Sequence, residues 1–259
     1  MILHLLHQLP DVPILALTVI VVTGIMMLAP HFGRRVLRLP NNDERDDAAF
    51  GGFKAVMSVT GIVLAFLLVQ ANGNLQAVDA TVAREAAAIS ITDRAMLRFG
   101  KPEATALRPV LADYGAAVVD EWPSLARRER SEAADAAYTA LSKKTRAMAP
   151  DDTRQEAMYH ELLKDLDDLS DLREDVIAES DYRLPTIFWV TAGCLLALGV
   201  ALAAATASSL GRTVGLGAPA AAVALLLAFV IIVDVPFEGE TSVTPYAIEN
   251  ALARNALRT

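Results

Sequence analysis

The residues of this sequence that first suggest chemistry are its acidic side chains. Six carboxylates crowd residues 165–175, and carboxylate oxygens gathered in one place could hold a cation. A helix over this segment, however, spreads Asp165, Asp168 and Asp175 around a narrow apolar stripe, so they do not face a common centre. We therefore interpret the row as a solvated helix face and predict no metal site.

The sequence also lacks the residue sets of common catalytic sites. It has no HExxH, no glycine-rich phosphate loop, no G-x-S-x-G and no Cys–His pair, and its four His residues have no zinc-ligand spacing. The segment Asp-Glu-Trp-Pro at 120–123 could suggest a functional corner. We interpret it instead as the end of a helix whose Trp122 fills a domain core. The sequence therefore predicts no enzyme, no catalytic residue and no cofactor.

Four long apolar windows are the main structural feature of the sequence, and helices over them would have to position any functional site. With 54% hydrophobic residues and a mean hydropathy of +0.37, the chain is more apolar than an ordinary soluble domain. The windows approach the roughly 20 residues that cross a bilayer as a helix. We predict an all-α integral membrane protein, with the lipid bilayer as a partner and transmembrane helices over residues 13–28, 53–69, 186–207 and 214–233.

The second window continues into a polar stretch without a proline to stop it. Beyond the window, apolar residues recur three, four and seven positions apart, which is the spacing of one helix face. We predict one unbroken helix from Gly51 to about Met96 that leaves the lipid between Val69 and Leu75. Everything else in the chain is expected to pack around this helix.

Most charged residues lie between the second and third windows, in a region predicted to be helical throughout. Further helices are expected from Pro102 to the 120–123 segment, over 129–148, and after Pro150. The net charge of −8 argues against a nucleic-acid partner. The predicted domains are a first transmembrane pair (1–71), an extramembrane helical domain (72–183), a second transmembrane pair (184–236) and a C-terminal tail with a short helix (237–259).

The middle of each predicted span contains no ionisable residue. Proton relays and ion-coupled carriers keep such residues at membrane depth because the cost of burying them is tolerated only for function. This absence argues against a pump or coupled transporter. It fits a passive pore with an apolar constriction, and it fits spans that only anchor the helical domain. Composition alone favours the anchor.

Short segments of the sequence resemble a known family. Leu-Ala-Phe-Leu-Leu at 64–68 and the acidic–Pro–Phe–Gly pattern after the fourth window are similar to segments of bestrophin anion channels. Together with the order of spans and insert, the elements resemble the bacterial bestrophin-like family of membrane proteins over nearly the whole chain. The motif residues that carry this resemblance are Arg84, Glu85, Glu121, Trp122, Pro123, Pro236, Phe237 and Gly239.

The resemblance implies a homo-oligomeric ring, a pentamer if the bestrophin pattern holds, with the second helices around its axis. Phe66 would then take the place of an apolar neck residue, with Ile62 and Ser58 one and two turns away on the same face. Chloride or another small anion would be the permeating species. The alternative is a membrane-anchored sensor or assembly subunit whose helical bundle binds a ligand or protein without conducting ions.

The resemblance also bears on metal binding and on location. The acidic segment 234–240 resembles the part of animal bestrophins that helps to hold calcium, but its acids are fewer and Gly239 interrupts them, so we predict no metal there. The family implies a multi-pass protein of the bacterial cytoplasmic (inner) membrane with a cytosolic insert. The basic residues of the two short connections instead predict an external insert, since such loops are usually cytoplasmic. Both orientations stay open.

Overall fold

The computed structural model describes residues 10–37 and 43–258, and its regular structure in these ranges is helical, as predicted. Residues 1–9, residues 38–42 with Arg38 of the first basic connection, and Thr259 lie outside the described residues. The helices are α1 (Asp11–Leu37), α2 (Asp43–Phe99), α3 (Pro102–Thr105), α4 (Arg108–Asp120), α5 (Trp122–Ala126), α6 (Glu132–Arg146), α7 (Thr153–Ser180), α8 (Thr186–Ala204), α9 (Leu210–Val233) and α10 (Tyr246–Ala256).

Two compact units share the chain. The first unit comprises Met1–Asn74 and Arg183–Ser242, and the second comprises Leu75–Tyr182 and Val243–Thr259. Helix α2 contributes residues to both units and runs through the polar stretch 70–75 without interruption. The prediction of an unbroken helix there is confirmed, and the helix begins eight residues earlier than the predicted Gly51, at Asp43.

Among the described residues, four helices are long and apolar enough to span a membrane: α1, α2, α8 and α9. The prediction of four transmembrane helices is therefore confirmed. The first was predicted to end near residue 28, but α1 continues through Pro30 to Leu37. A proline removes one main-chain hydrogen bond, and a helix within a membrane protein tolerates this loss where neighbouring helices support it. The fourth span was predicted to begin at residue 214, but α9 begins at Leu210. The Ser209 hydroxyl caps this end of the helix by accepting a hydrogen bond from the Arg212 amide.

Small residues set the close packing of the first unit. Gly33 of α1 lies against the backbone at Ala204 of α8, and Gly217 of α9 lies against Met27 of α1. Gly199 of α8 similarly accommodates the side chain of Met57 of α2. Such contacts let helix backbones approach closely, which is how helices associate in lipid without a hydrophobic driving force.

The second unit is a helical bundle with an apolar core. Asp152 begins α7 as an N-cap, accepting a hydrogen bond from the Gln155 amide at 2.8 Å, and Ser131 caps α6 in the same way. The predicted helix from Pro102 is divided into α3 and α4, because Pro109 in the first turn of α4 has no amide hydrogen to donate to the preceding turn. The fully buried core side chains include Ile89, Met96, Leu111, Val118, Leu141, Leu162, Leu166 and Leu169.

The predicted C-terminal helix is confirmed as α10, and the structure groups it with the second unit. Its Ile248 and Ala251 are fully buried. Leu252 packs so closely on Gly115 of α4 that a methyl group at Gly115 would overlap its side chain. The tail is therefore part of the core of the second unit, a role that its short amphipathic pattern did not reveal.

Candidate functional site

Ser58, Ile62 and Phe66 lie on one face of α2, and we call them the exposed α2 stripe. Ile62 is 59% exposed and Phe66 is 73% exposed. The opposite face of the same span is buried in the first unit through side chains such as Met57 and Leu64. Within this chain the stripe therefore does not serve as packing surface.

The polar member of the exposed α2 stripe is satisfied within its own helix. The Ser58 hydroxyl donates a hydrogen bond to the Lys54 carbonyl at 3.0 Å. The Lys54 ammonium lies 4.2 Å from the centre of the Phe50 ring, in a cation–π contact near the start of the span. The stripe is consequently apolar along its length apart from one hydroxyl that is already hydrogen-bonded.

The segment after α9 fastens the end of the first unit. Phe237 is buried, and Gly239 adopts a φ of +89°, a conformation that favours glycine. Thr241 donates a hydrogen bond to the Asp11 carboxylate at the start of α1, and a Cβ on Gly239 would lie 3.1 Å from that carboxylate. The Asp234 carboxylate accepts a hydrogen bond from the Leu184 amide at 2.8 Å. In this structure, Thr241 holds the start of α1 and Asp234 holds the chain entering α8.

The neighbouring motif residues Arg84 and Glu85 occupy opposite environments. Arg84 is exposed and donates a hydrogen bond to the Thr81 hydroxyl at 2.7 Å, which in turn donates to the Glu179 carboxylate at 3.1 Å. Glu85 is fully buried in the second unit. Successive helical residues lie about 100° apart around the axis, so one of the pair faces water while the other faces the core.

Glu85 belongs to a buried ionic cluster, formed by Glu85, Tyr114, Glu121 and Arg173. The Tyr114 hydroxyl donates to Glu85 Oε1 at 3.2 Å, and Arg173 Nη1 lies 3.8 Å from the same oxygen. Arg173 Nη2 donates to Glu121 Oε2, and Glu121 Oε1 accepts a hydrogen bond from the Ser131 amide at 3.0 Å. One guanidinium therefore joins carboxylates from α2 and from the end of α4.

The buried ionic cluster contains two carboxylates and one guanidinium, which gives it a formal charge of −1. All four residues are at most 6% exposed, and Glu85 Oε2 and Arg173 Nη1 have no hydrogen-bond partner in the described part of the chain. Burial, followed by the neighbouring Glu85 carboxylate, raises the pKa of Tyr114. The Tyr114 hydroxyl therefore keeps its proton and serves as a donor. The stability of a cluster this deeply buried depends strongly on its single cation.

In the segment 120–123, Glu121 and Trp122 make contacts within the second unit. Helix α4 ends at Asp120, as predicted. The Trp122 indole N–H donates to the Val243 carbonyl at 2.8 Å, which ties the end of α4 to the chain leading into α10. Trp122 is only half-buried, whereas its neighbour Glu121 is 2% exposed and enters the buried ionic cluster.

The acidic row on α7 is mostly exposed, with one exception. Asp167 and Asp168 are exposed, whereas Asp165 is half-buried and its Oδ2 atom is buried without a hydrogen-bond partner among the described residues. Burial, and then repulsion from Glu161 and Asp168, raise the pKa of Asp165. The row therefore contains one carboxyl group that is unfavourably placed when ionised.

Asp165→Asn is expected to improve stability relative to the wild type as pH rises. The folded protein retains a proton on Asp165 at pH values where the unfolded chain, with an ordinary Asp pKa of about 3.9, has released it. Wild-type stability consequently falls from that pH upward through the raised pKa, and asparagine removes this loss. The expected gain at neutral pH is a few tenths to about 1 kcal/mol, because the site is partly solvated. Thermal unfolding of detergent-solubilised protein across pH measures it.

Glu174→Gln on the same helix is the control of opposite sign. A hydrogen bond from Arg130 lowers the pKa of Glu174, so its contribution is present above the ordinary Glu value and is lost as pH falls through the lowered pKa. The glutamine variant should therefore lose a little stability at neutral pH and match the wild type in acid. Identical pH profiles for the two variants would show that the carboxyl environments are not as described.

Comparison with known proteins was made by sequence and by structure. A family model described as Bestrophin-like domain matches residues 16–248. No curated protein matches the sequence. A solved structure described as the crystal structure of a membrane protein matches with a TM-score of 0.56, covering 95% of this chain and 97% of that chain at 13% identity. At this identity the likeness shows a shared fold.

The family model begins inside α1 and ends inside α10, so it includes most of the first span, the other three spans and nearly all of the second unit. It also includes every motif residue on which the resemblance rests, from Arg84 to Gly239. The predicted family is confirmed: this multi-pass membrane protein belongs to the bestrophin-like family.

Proposed function

We propose that this protein assembles as a homo-oligomeric ring in which the exposed α2 stripe lines a passive pathway for small anions such as chloride. The observation that carries the proposal is the exposure of Ile62 and Phe66 on a span whose other face is packed inside the chain. Two large apolar side chains one turn apart are suited to a narrow, dewetting constriction. A pentamer is the assembly that the family resemblance favours.

The stripe has the chemistry of a neck that does not bind ions strongly. It carries no charge between Ser58 and Phe66, so an anion meets a hydrophobic barrier there. Ser58 is smaller than Ile62 and Phe66, which confines the proposed constriction to those two positions. Chloride passage through such a neck depends on the diameter of the ring and on wetting, and needs no coupled proton or ion.

Phe66→Ala is expected to increase chloride efflux from liposomes containing the purified protein by at least tenfold. Removing the phenyl ring widens the proposed neck and makes it easier to wet. Chloride release, measured with an ion-selective electrode at matched protein-to-lipid ratios, gives the rate. The oligomeric state of each sample, measured by light scattering in detergent, shows whether a ring is present.

Phe229→Ala is the matched control, since Phe229 is another exposed phenylalanine of a membrane span: it lies in α9 and is 47% exposed. It loses the same ring from a membrane span but does not lie on the exposed α2 stripe. Efflux should stay at the wild-type rate in this variant. Well-formed rings with no chloride flux, or equal flux in the two phenylalanine variants, would remove the pore proposal.

A membrane-anchored sensor or assembly subunit is the second candidate function. The observation that favours it is an open groove of about 370 Å³ in the second unit, lined by residues of α2, α4 and α10. This candidate predicts a monomer or dimer without a permeable axis, whereas the channel proposal requires a ring. Light scattering and the efflux assay therefore separate the two candidates.

The proposal places the protein in the bacterial cytoplasmic membrane. The family resemblance favours a cytosolic second unit, whereas the basic connections favour an external one. Arg212 of the second connection pairs with Asp47 at 2.5 Å, but acidic partners contribute little to the orientation rule, so this ion pair does not decide between the two orientations. Protease treatment of intact cells against inverted vesicles distinguishes the two orientations.

A further inference from the structure

The groove in the second unit has a polar end and apolar walls. Its volume is about 370 Å³, within the range of small-molecule sites. Asp93 and Arg108 are the charged residues that line it, and the walls include Leu111 and Ala112 of α4 and Leu252 of α10. The groove thus combines a single ionic end with a surface suited to a short hydrocarbon body.

Arg108 is fixed in position at the polar end. Its Nε donates to Asp93 Oδ1 at 2.7 Å, and its Nη2 donates to the Asn255 carbonyl at 2.7 Å. Its side chain is 17% exposed, and its Nη1 has no hydrogen-bond partner among the residues that the structure describes. A guanidinium that is already oriented and retains free N–H groups on one nitrogen loses little entropy on binding an anion.

The charge balance at this end is positive. Asp93, which is 2% exposed, also pairs with Arg258 at 3.4 Å, so one carboxylate serves two guanidinium groups. Arg258 is held in turn by the Asn255 side-chain oxygen at 2.7 Å and does not line the groove. Because Arg258 helps to neutralise Asp93, the charge of Arg108 is left for a ligand.

We propose that this groove binds a small monocarboxylate with an apolar body, the carboxylate on Arg108 and the body between α4 and α10. The free Nη1 of Arg108 and a net charge of +1 over Asp93, Arg108 and Arg258 match a single carboxylate and disfavour cations. The apolar walls would add nothing to the affinity for a bare inorganic anion, because apolar burial strengthens binding only when the ligand itself has apolar surface. This site lies wholly in the second unit and does not depend on ion conduction.

Benzoate is the probe, titrated by calorimetry into the full chain in detergent. We expect saturable binding of benzoate and none of benzyl alcohol or benzylamine at equal concentration. Chloride at the same concentration should not displace the probe. Equal binding of benzyl alcohol, or full displacement by equimolar chloride, would overturn the proposal, since the first removes the role of Arg108 and the second removes the role of the apolar walls.

Ala112→Phe tests the location of the site. Ala112 is exposed, so a larger side chain there fills the groove without entering the core, and benzoate affinity should fall at least tenfold. Ala116→Phe is the matched control: Ala116 is also exposed, one turn along α4 and outside the groove, and its variant should bind benzoate as the wild type does. The control also accounts for partition of benzoate into detergent.

Arg108→Gln tests the anion contact and should likewise lower benzoate affinity at least tenfold. Asp93 keeps Arg258 in this variant, so the buried carboxylate is not left alone. Unchanged benzoate affinity in Ala112→Phe would overturn the proposal even if Arg108→Gln failed to fold. Equal loss of affinity in Ala112→Phe and Ala116→Phe would also overturn it.

Discussion

Arg173→Met is expected to lower the free energy of unfolding by about 3–5 kcal/mol, the cost of breaking a buried ion pair from one side. Arg173 is 6% exposed and is the cation shared by Glu85 and Glu121 in the buried ionic cluster. Methionine occupies much of the arginine volume, so the loss reflects two buried carboxylates without a cation more than it reflects a cavity. Thermal and denaturant unfolding of the detergent-solubilised protein measure the change.

Arg130→Met is the matched control for this prediction. Arg130 forms an ion pair with Glu174, but the two side chains are 51% and 58% exposed, so its removal should cost at most about 1 kcal/mol. Combining Arg173→Met with Glu85→Gln and Glu121→Gln should recover much of the lost stability, since no buried charge then lacks a partner. If Arg173→Met cost no more than Arg130→Met, the cluster would not be the dry, charged site described here.

The helices were predictable because their signals are local. Apolar windows of bilayer length predicted the spans, and Pro150 predicted the start of a further helix, which is α7, with Asp152 capping its first turn. The end of α1 was not predictable in this way, since Pro30 resembles a stop signal and only the neighbouring helices show that the helix continues. The role of α10 likewise depends on Leu252 meeting Gly115, a contact between residues far apart in sequence.

The buried ionic cluster was not predicted from the sequence. The motif residues Glu85 and Glu121 were identified through the family resemblance, but their partner Arg173 was missed. A signal for it does exist: Arg173 lies in register with Leu169 and Val176, in a stripe of buried residues on α7 that is otherwise apolar or uncharged. A charged residue in such a stripe predicts a buried partner, although it does not reveal which carboxylates will reach it.

The second large loss of stability is expected where α1 and α8 pack closely in the first unit, at Gly33. Gly33→Ala is expected to lower stability by about 3 kcal/mol, at the upper end of the usual cost of overpacking. A methyl group on Gly33 would overlap the Ala204 carbonyl oxygen, which belongs to the backbone and cannot rotate away as a side chain can. Helices α1 and α8 must then separate at this point, and the buried surfaces of both lose contact. Thermal unfolding in detergent, together with the yield of folded protein, reports the change.

Gly24→Ala separates this effect from helix propensity, because Gly24 lies on the same helix with no atom within 4 Å of the position that a Cβ would take. Alanine forms helix more readily than glycine by about 1 kcal/mol, so this variant should be as stable as the wild type or slightly more stable. The same gain in helix propensity applies at Gly33→Ala, so a net loss of stability in that variant must come from the overlap with Ala204. Equal stability of the two variants would mean that α1 and α8 do not approach each other as closely as the structure places them.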